Sequence, residues 1–123
     1  QQKKYFELSM EKYEKALSIN KTNANVYYNF TGALGGYSQI LKNTEKKSAL
    51  KRGVEMADKA ISLGSDNYNP ACMYALINDK NRALKHLESS LMNGEIDKQH
   101  VLNDLDWKNF LDNPAFLKII NKY

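Results

Sequence analysis

Between Ala24 and Leu63 the chain writes one helix followed by a second that folds back on it, and it places glycine inside the first. Tyr27, Phe30, Leu34, Tyr37 and Leu41 recur at alternating steps of three and four, the spacing of an apolar helical stripe that continues to about Leu41. Gly32, Gly35 and Gly36 interrupt that stripe, and each costs about 1 kcal/mol in a helix interior. Two compensations stay open: close approach of a neighbouring backbone, or a kink at Gly35-Gly36. The second helix is expected to start on caps from Asn43 and Thr44, with Glu45 favourable in its first turn, and to run through Leu63 until Gly64 stops it. A pair of this kind cannot bury its stripes alone and is built to be stacked.

The rest of the chain reads as helix as well. A first helix is expected over Gln2 to Ile19, with Tyr5, Leu8 or Ser9, Lys12 or Tyr13, Ala16 and Leu17 on its buried side. Asn20 to Asn23 is a polar turn, and Asn23 a cap for the next helix. Asn69-Pro70 and Asn113-Pro114 each set a capping side chain before a proline at the first helical position, starting helices near Pro70 to Ile77 and Pro114 to Asn121. Asp79 caps a helix that turns Ala83, Leu84, Leu87 and Leu91 inward and ends at Gly94. Short helices near Glu95 to Leu102 and Leu105 to Leu111 complete an all-α reading of about eight helices with no strand.

At 123 residues the chain fits one compact domain. Its 42% hydrophobic and 26% charged residues are those of a soluble globular protein, and no apolar run approaches the roughly 18 residues of a membrane span. The net charge of +4 comes from 18 basic residues interspersed with 14 acidic ones, which permits nucleic acid as a partner without suggesting it. Lys42, Lys46, Lys47, Lys51 and Arg52 form the densest basic segment, but Glu45 and Glu55 dilute it into a solvated helix face. The chain opens at Gln1-Gln2 with no initiator Met, as a removed signal peptide or a boundary within a longer protein would leave it. Compartment and oligomeric state are not written in these residues.

Taken together, these patterns resemble the tetratricopeptide repeat, a helix-turn-helix unit of 34 residues. In the central unit Tyr27 takes the aromatic position of the first helix, Phe30 the leucine position and Leu34 the late tyrosine position. Gly53, Ala57 and Ala60 take the small, aromatic and alanine positions of the second helix. Residues 1–20 match a second-helix half repeat through Tyr13 and Ala16. Residues 24–64 form the central repeat, lengthened by about ten residues between Leu34 and Gly53 relative to the family spacing. Residues 67–93 form a short repeat carrying Ala71, Tyr74, Ala83 and Leu87. Residues 94–123, with Asp104 to Phe116, resemble the segment that closes the open end of such stacks. Thr31 in place of glycine and Ala57 in place of an aromatic depart from the pattern.

The resemblance implies a single α-α superhelix whose concave groove binds a protein or peptide. Carried over by register, the groove residues are Asn25, Tyr28, Asn29, Gly32 and Gly36 in the central unit, and Tyr68, Asn69 and Cys72 in the third. The opposing expectation is that the lengthened helices or the tail fill that groove. Tyr28 and Gly32 stand at two positions where some family members place the basic residues of a carboxylate clamp, so recognition of a terminal carboxylate is not implied. A second reading is a structural or regulatory piece of an enzyme or secretion assembly, docking through its convex face or its first helix.

No catalytic or cofactor constellation is readable. His86 and His100 have no motif around them, and the Gly32 to Gly36 cluster lacks the Lys-Ser/Thr of a phosphate loop. Cys72 is the lone cysteine and sits where a small buried residue is expected, and no Cys/His set has metal spacing. An enzyme would require a deep pocket holding His86 or His100 beside a carboxylate.

Overall fold

The computed structural model describes residues 2–123. Among them the chain is all-helical, with eight helices and no strand: α1 (Gln2–Ile19), α2 (Ala24–Gln39), α3 (Asn43–Ser62), α4 (Tyr68–Leu76), α5 (Lys80–Met92), α6 (Lys98–Asn103), a 3-10 helix (Leu105–Phe110) and α7 (Pro114–Lys122). Among the described residues no helix is long and apolar enough to cross a membrane.

Contacts between the helices give their directions. Phe6 meets Gly36, and the Tyr13 and Phe30 rings lie 5.4 Å apart, so α1 runs antiparallel to α2. Lys3 pairs with Glu45 at 3.2 Å, and Glu14 pairs with Arg52, so α1 runs parallel to α3. Tyr28 bonds Asn69 while Gly35 meets Leu76, which sets α4 parallel to α2. One apolar core continues from Phe30 and Leu34 through α4 and α5 to Val101, Trp107, Phe110, Phe116 and Ile120. At its far end Trp107 stands edge-on to Phe110 at 5.3 Å and stacks on Phe116 at 5.8 Å.

The stripe of α2 is buried at Tyr27, Phe30, Leu34 and Leu41. The helix stops at Gln39, and Leu41 reaches the core from the loop that follows. No break occurs at Gly35-Gly36. The glycines answer to side chains rather than to a backbone. A β-carbon at Gly36 would stand 2.9 Å from the Phe6 ring, and one at Gly32 would stand 2.7 Å from the Asn69 amide nitrogen. Gly53 of α3 likewise lies under the Met73 thioether.

Three expectations are corrected. The inward side of α1 carries Phe6 and Met10 beside the expected Ser9, Tyr13, Ala16 and Leu17, while Tyr5 is 67% and Leu8 50% exposed. The pocket at Gly36 accepts the Phe6 ring and thereby sets the rotation of the helix. Asn43 and Thr44 do not cap α3. Its cap position is Lys42 with no side-chain bond, and Asn43 itself is left-handed at φ 53°, a conformation asparagine tolerates better than most residues. Asn69 does not cap α4, which already begins at Tyr68, because its side chain turns across to α2.

The ends that match the sequence reading do so through their own chemistry. Asn23, Asp79 and Asn113 accept backbone N–H groups at the starts of α2, α5 and α7. Gly64 and Gly94 take positive φ and close α3 and α5 with paired bonds back to Ala60 and Ile61, and to Ser90 and Leu91. Asn78 does the same for α4.

Candidate functional site

Parallel packing of α2 and α4 leaves a furrow between them, and the segment after α5 crosses its edge. The result is a cavity of about 360 Å³ lined by Tyr28, Gly32, Tyr68, Asn69, Cys72 and residues of the tail. The two helices are tied together at one rim. The Asn69 backbone N–H donates to Tyr28 Oη at 3.3 Å, and its side-chain amide donates to the Tyr28 carbonyl at 3.2 Å. That amide occupies the space a side chain at Gly32 would need.

The tail brings acidity to the floor. Asp104 accepts the Asp106 N–H at 3.0 Å as the cap of the 3-10 helix, and its other oxygen accepts the Tyr68 hydroxyl at 2.6 Å. Asp106 accepts from Gln39 Nε2 at the end of α2. The Cys72 thiol lies 3.8 Å from Asp104. Cys72 is buried as its position implied, but its neighbours are polar.

Electrostatics follow from that crowding. Burial pushes the Cys72 thiol well above its ordinary value, and the charges of Asp106 and Asp104 push it further. Burial first and the Asp104 charge second push Asp106 up to about 6, against the opposing hydrogen bond from Gln39. Burial also raises Tyr68 and Tyr28, so both remain neutral hydroxyls.

Of the eight residues assigned to the groove from sequence, Tyr28, Gly32, Tyr68, Asn69 and Cys72 line this cavity. Asn25 and Asn29 are exposed on α2 outside its lining. Gly36 lies beneath Phe6 and belongs to the α1–α2 seam. Sequence reasoning missed Asp104, Asp106 and Ile96, which arrive from the tail. The tail covers the Tyr68 and Cys72 end of the furrow, where both residues are buried with Asp104 against them, and the cavity lies beside it.

His100 also lines the cavity, with its ring edge-on to Tyr68 at 5.6 Å. Among the described residues that ring makes no hydrogen bond to either carboxylate. His86 lies elsewhere, with its Nδ1 2.9 Å from Asn67 Oδ1, and burial, then the charges of Lys85 and Arg82, lower its pKa. Among the described residues neither histidine hydrogen-bonds a hydroxyl or thiol through its ring.

Compared with protein-family models, curated proteins and solved structures, the chain gives no match.

Proposed function

We propose that this chain is a non-catalytic interaction module of the tetratricopeptide-repeat kind, taking an extended peptide segment of a partner protein along the furrow between α2 and α4. The observation that carries the reading is the cavity itself. It is a concave space between two parallel helices, bordered by groups able to bond a peptide backbone: the Tyr28 hydroxyl and the Asn69 amide. Gly32 offers bare backbone at the same rim.

Selection of peptides from a random library on the purified protein, followed by titration of the best binders, tests this. Tyr28→Ala, inside the furrow, is expected to weaken binding at least about tenfold, the loss of one well-placed contact. Asn29→Ala, outside the cavity, is expected to leave binding nearly unchanged. Affinity indifferent to Tyr28→Ala removes the groove from the argument.

The second reading is docking through the first helix as part of a larger assembly. It is favoured by Tyr5, Leu8 and Ile19, which share one outward stripe of α1 and are all exposed. Binding lost with Tyr5→Ser and Leu8→Ser but retained with Tyr28→Ala selects that reading instead.

A further inference from the structure

We propose that Cys72, Asp104 and Asp106 form a binding site for a thiophilic divalent cation of the zinc type at the floor of the α2–α4 furrow. One ligand atom from each of the three residues lies within 4.8 Å of the other two. Zinc bonds of about 2.3 Å to sulfur and 2.0–2.2 Å to oxygen, at a tetrahedral angle, put those two atoms about 3.6 Å apart. Cys72 Sγ and the near oxygen of Asp104 are 3.8 Å apart.

Two further features of the site concern charge and hydrogen bonding. Asp104 and Asp106 face each other, and among the described residues neither forms an ion pair with a Lys, Arg or His. Independently, the indole N–H of Trp107 is fully buried with no hydrogen-bond partner, and it acts on Cys72 in the direction that favours the thiolate. A neutral thiol is a weak acceptor. A metal-bound thiolate is a strong one and would satisfy the orphaned donor. One cation at this point therefore offsets two of the three negative charges of the carboxylate pair and the thiolate, and leaves the indole a stronger acceptor.

An outer shell is already in place. Tyr68 Oη donates to Asp104 at 2.6 Å, Gln39 Nε2 donates to Asp106, and the Asp106 N–H holds the second Asp104 oxygen. Such partners fix ligand orientation. The thiolate selects zinc-like ions over magnesium or calcium. Three protein ligands leave a position open toward the cavity, for water or for an incoming donor. Binding forms the sulfur–metal bond and releases the thiol proton to solvent.

Titration of untagged protein with cobalt(II), without any peptide, tests the site apart from the peptide reading. The expected result is a single equivalent bound, with a thiolate-to-cobalt charge-transfer band that zinc abolishes by displacement, and proton release in weak buffer. Cys72→Ser should remove the band. Asp106→Asn should weaken binding at least about tenfold, and Tyr68→Phe, an outer partner, about tenfold. Circular dichroism checks each variant, and Asp106→Asn serves should Cys72→Ser misfold. Absence of the band in the wild-type protein overturns the proposal, as does cobalt binding that survives Cys72→Ser unchanged. Neither result bears on peptide affinity, which is read separately with Tyr28→Ala.

Discussion

Helix α1 and helix α4 are treated in opposite ways by the same molecule. α1 spans 18 residues and buries none of them fully, whereas α4 spans nine and buries seven. α4 is enclosed by α2, α3, α5 and the 3-10 helix, while α1 packs chiefly on α2. Their ion pairs are about equally exposed and do not make the difference. α1 is held to its neighbours by exposed pairs, Lys3–Glu45 and Glu14–Arg52, which solvent screens. Around α4, the Tyr74 hydroxyl donates to Asp58, which also takes Arg82, whose guanidinium lies 4.2 Å above the Tyr74 ring. The comparison teaches that cohesion here depends on how many sides of a helix are covered, more than on how long the helix is.

The largest test is at the aromatic end. Trp107→Ala should cost about 3–5 kcal/mol, since the ring is fully buried between Phe110 and Phe116 and leaves a cavity the neighbours cannot close. Urea denaturation followed by circular dichroism reads the shift, and a loss below about 1 kcal/mol would break the picture of a sealed end.

Phe6→Ala is a smaller and more local change. It empties the notch over Gly36 and should let α1 detach while the remainder stays folded. Hydrogen exchange should accelerate along residues 5–13 and stay unchanged in α4. Equal acceleration in both would make the two regions one cooperative unit and dissolve the contrast.

The smallest effect concerns single helix starts. Asp79, Asp97, Asp104 and Asn113 cap the helices after α4 with side-chain bonds, whereas α3 has no such cap. Asp79→Ala should cost about 1 kcal/mol. Thr44→Ala should change stability by less than about 0.5 kcal/mol, because Thr44 caps nothing. A larger loss at Thr44 would restore the cap expected from sequence.

Periodicity made α2, α3 and α5 legible, because a stripe every three or four residues has one helical solution. Asp79, Asn113, Gly64 and Gly94 made their ends legible, because each acts within a few residues of itself. The rotation of α1 was misread although Phe6, Met10, Tyr13 and Leu17 recur at steps of four and three, because Tyr5 and Leu8 offered a competing run; the notch at Gly36 seats Phe6. Asn69 was misread as well: before a proline it resembles a cap, but Tyr28 lies close enough in space to take its amide. Of the cavity, five lining residues were reachable by register. Asp104 and Asp106 were not, because no local spacing ties them to Cys72.

By itself, then, the order of residues determined an all-helical chain, the approximate span of its elements and the aromatic character of its closing end. Those depend on interactions within a turn or two, which sequence spacing records directly. Only the tertiary structure decided which glycines serve as seats for Phe6, Asn69 and Met73. It also decided that a thiol on α4 meets two carboxylates from a segment more than thirty residues away. Those outcomes depend on side-chain shape and on charges meeting through space, and neither leaves a period in the chain.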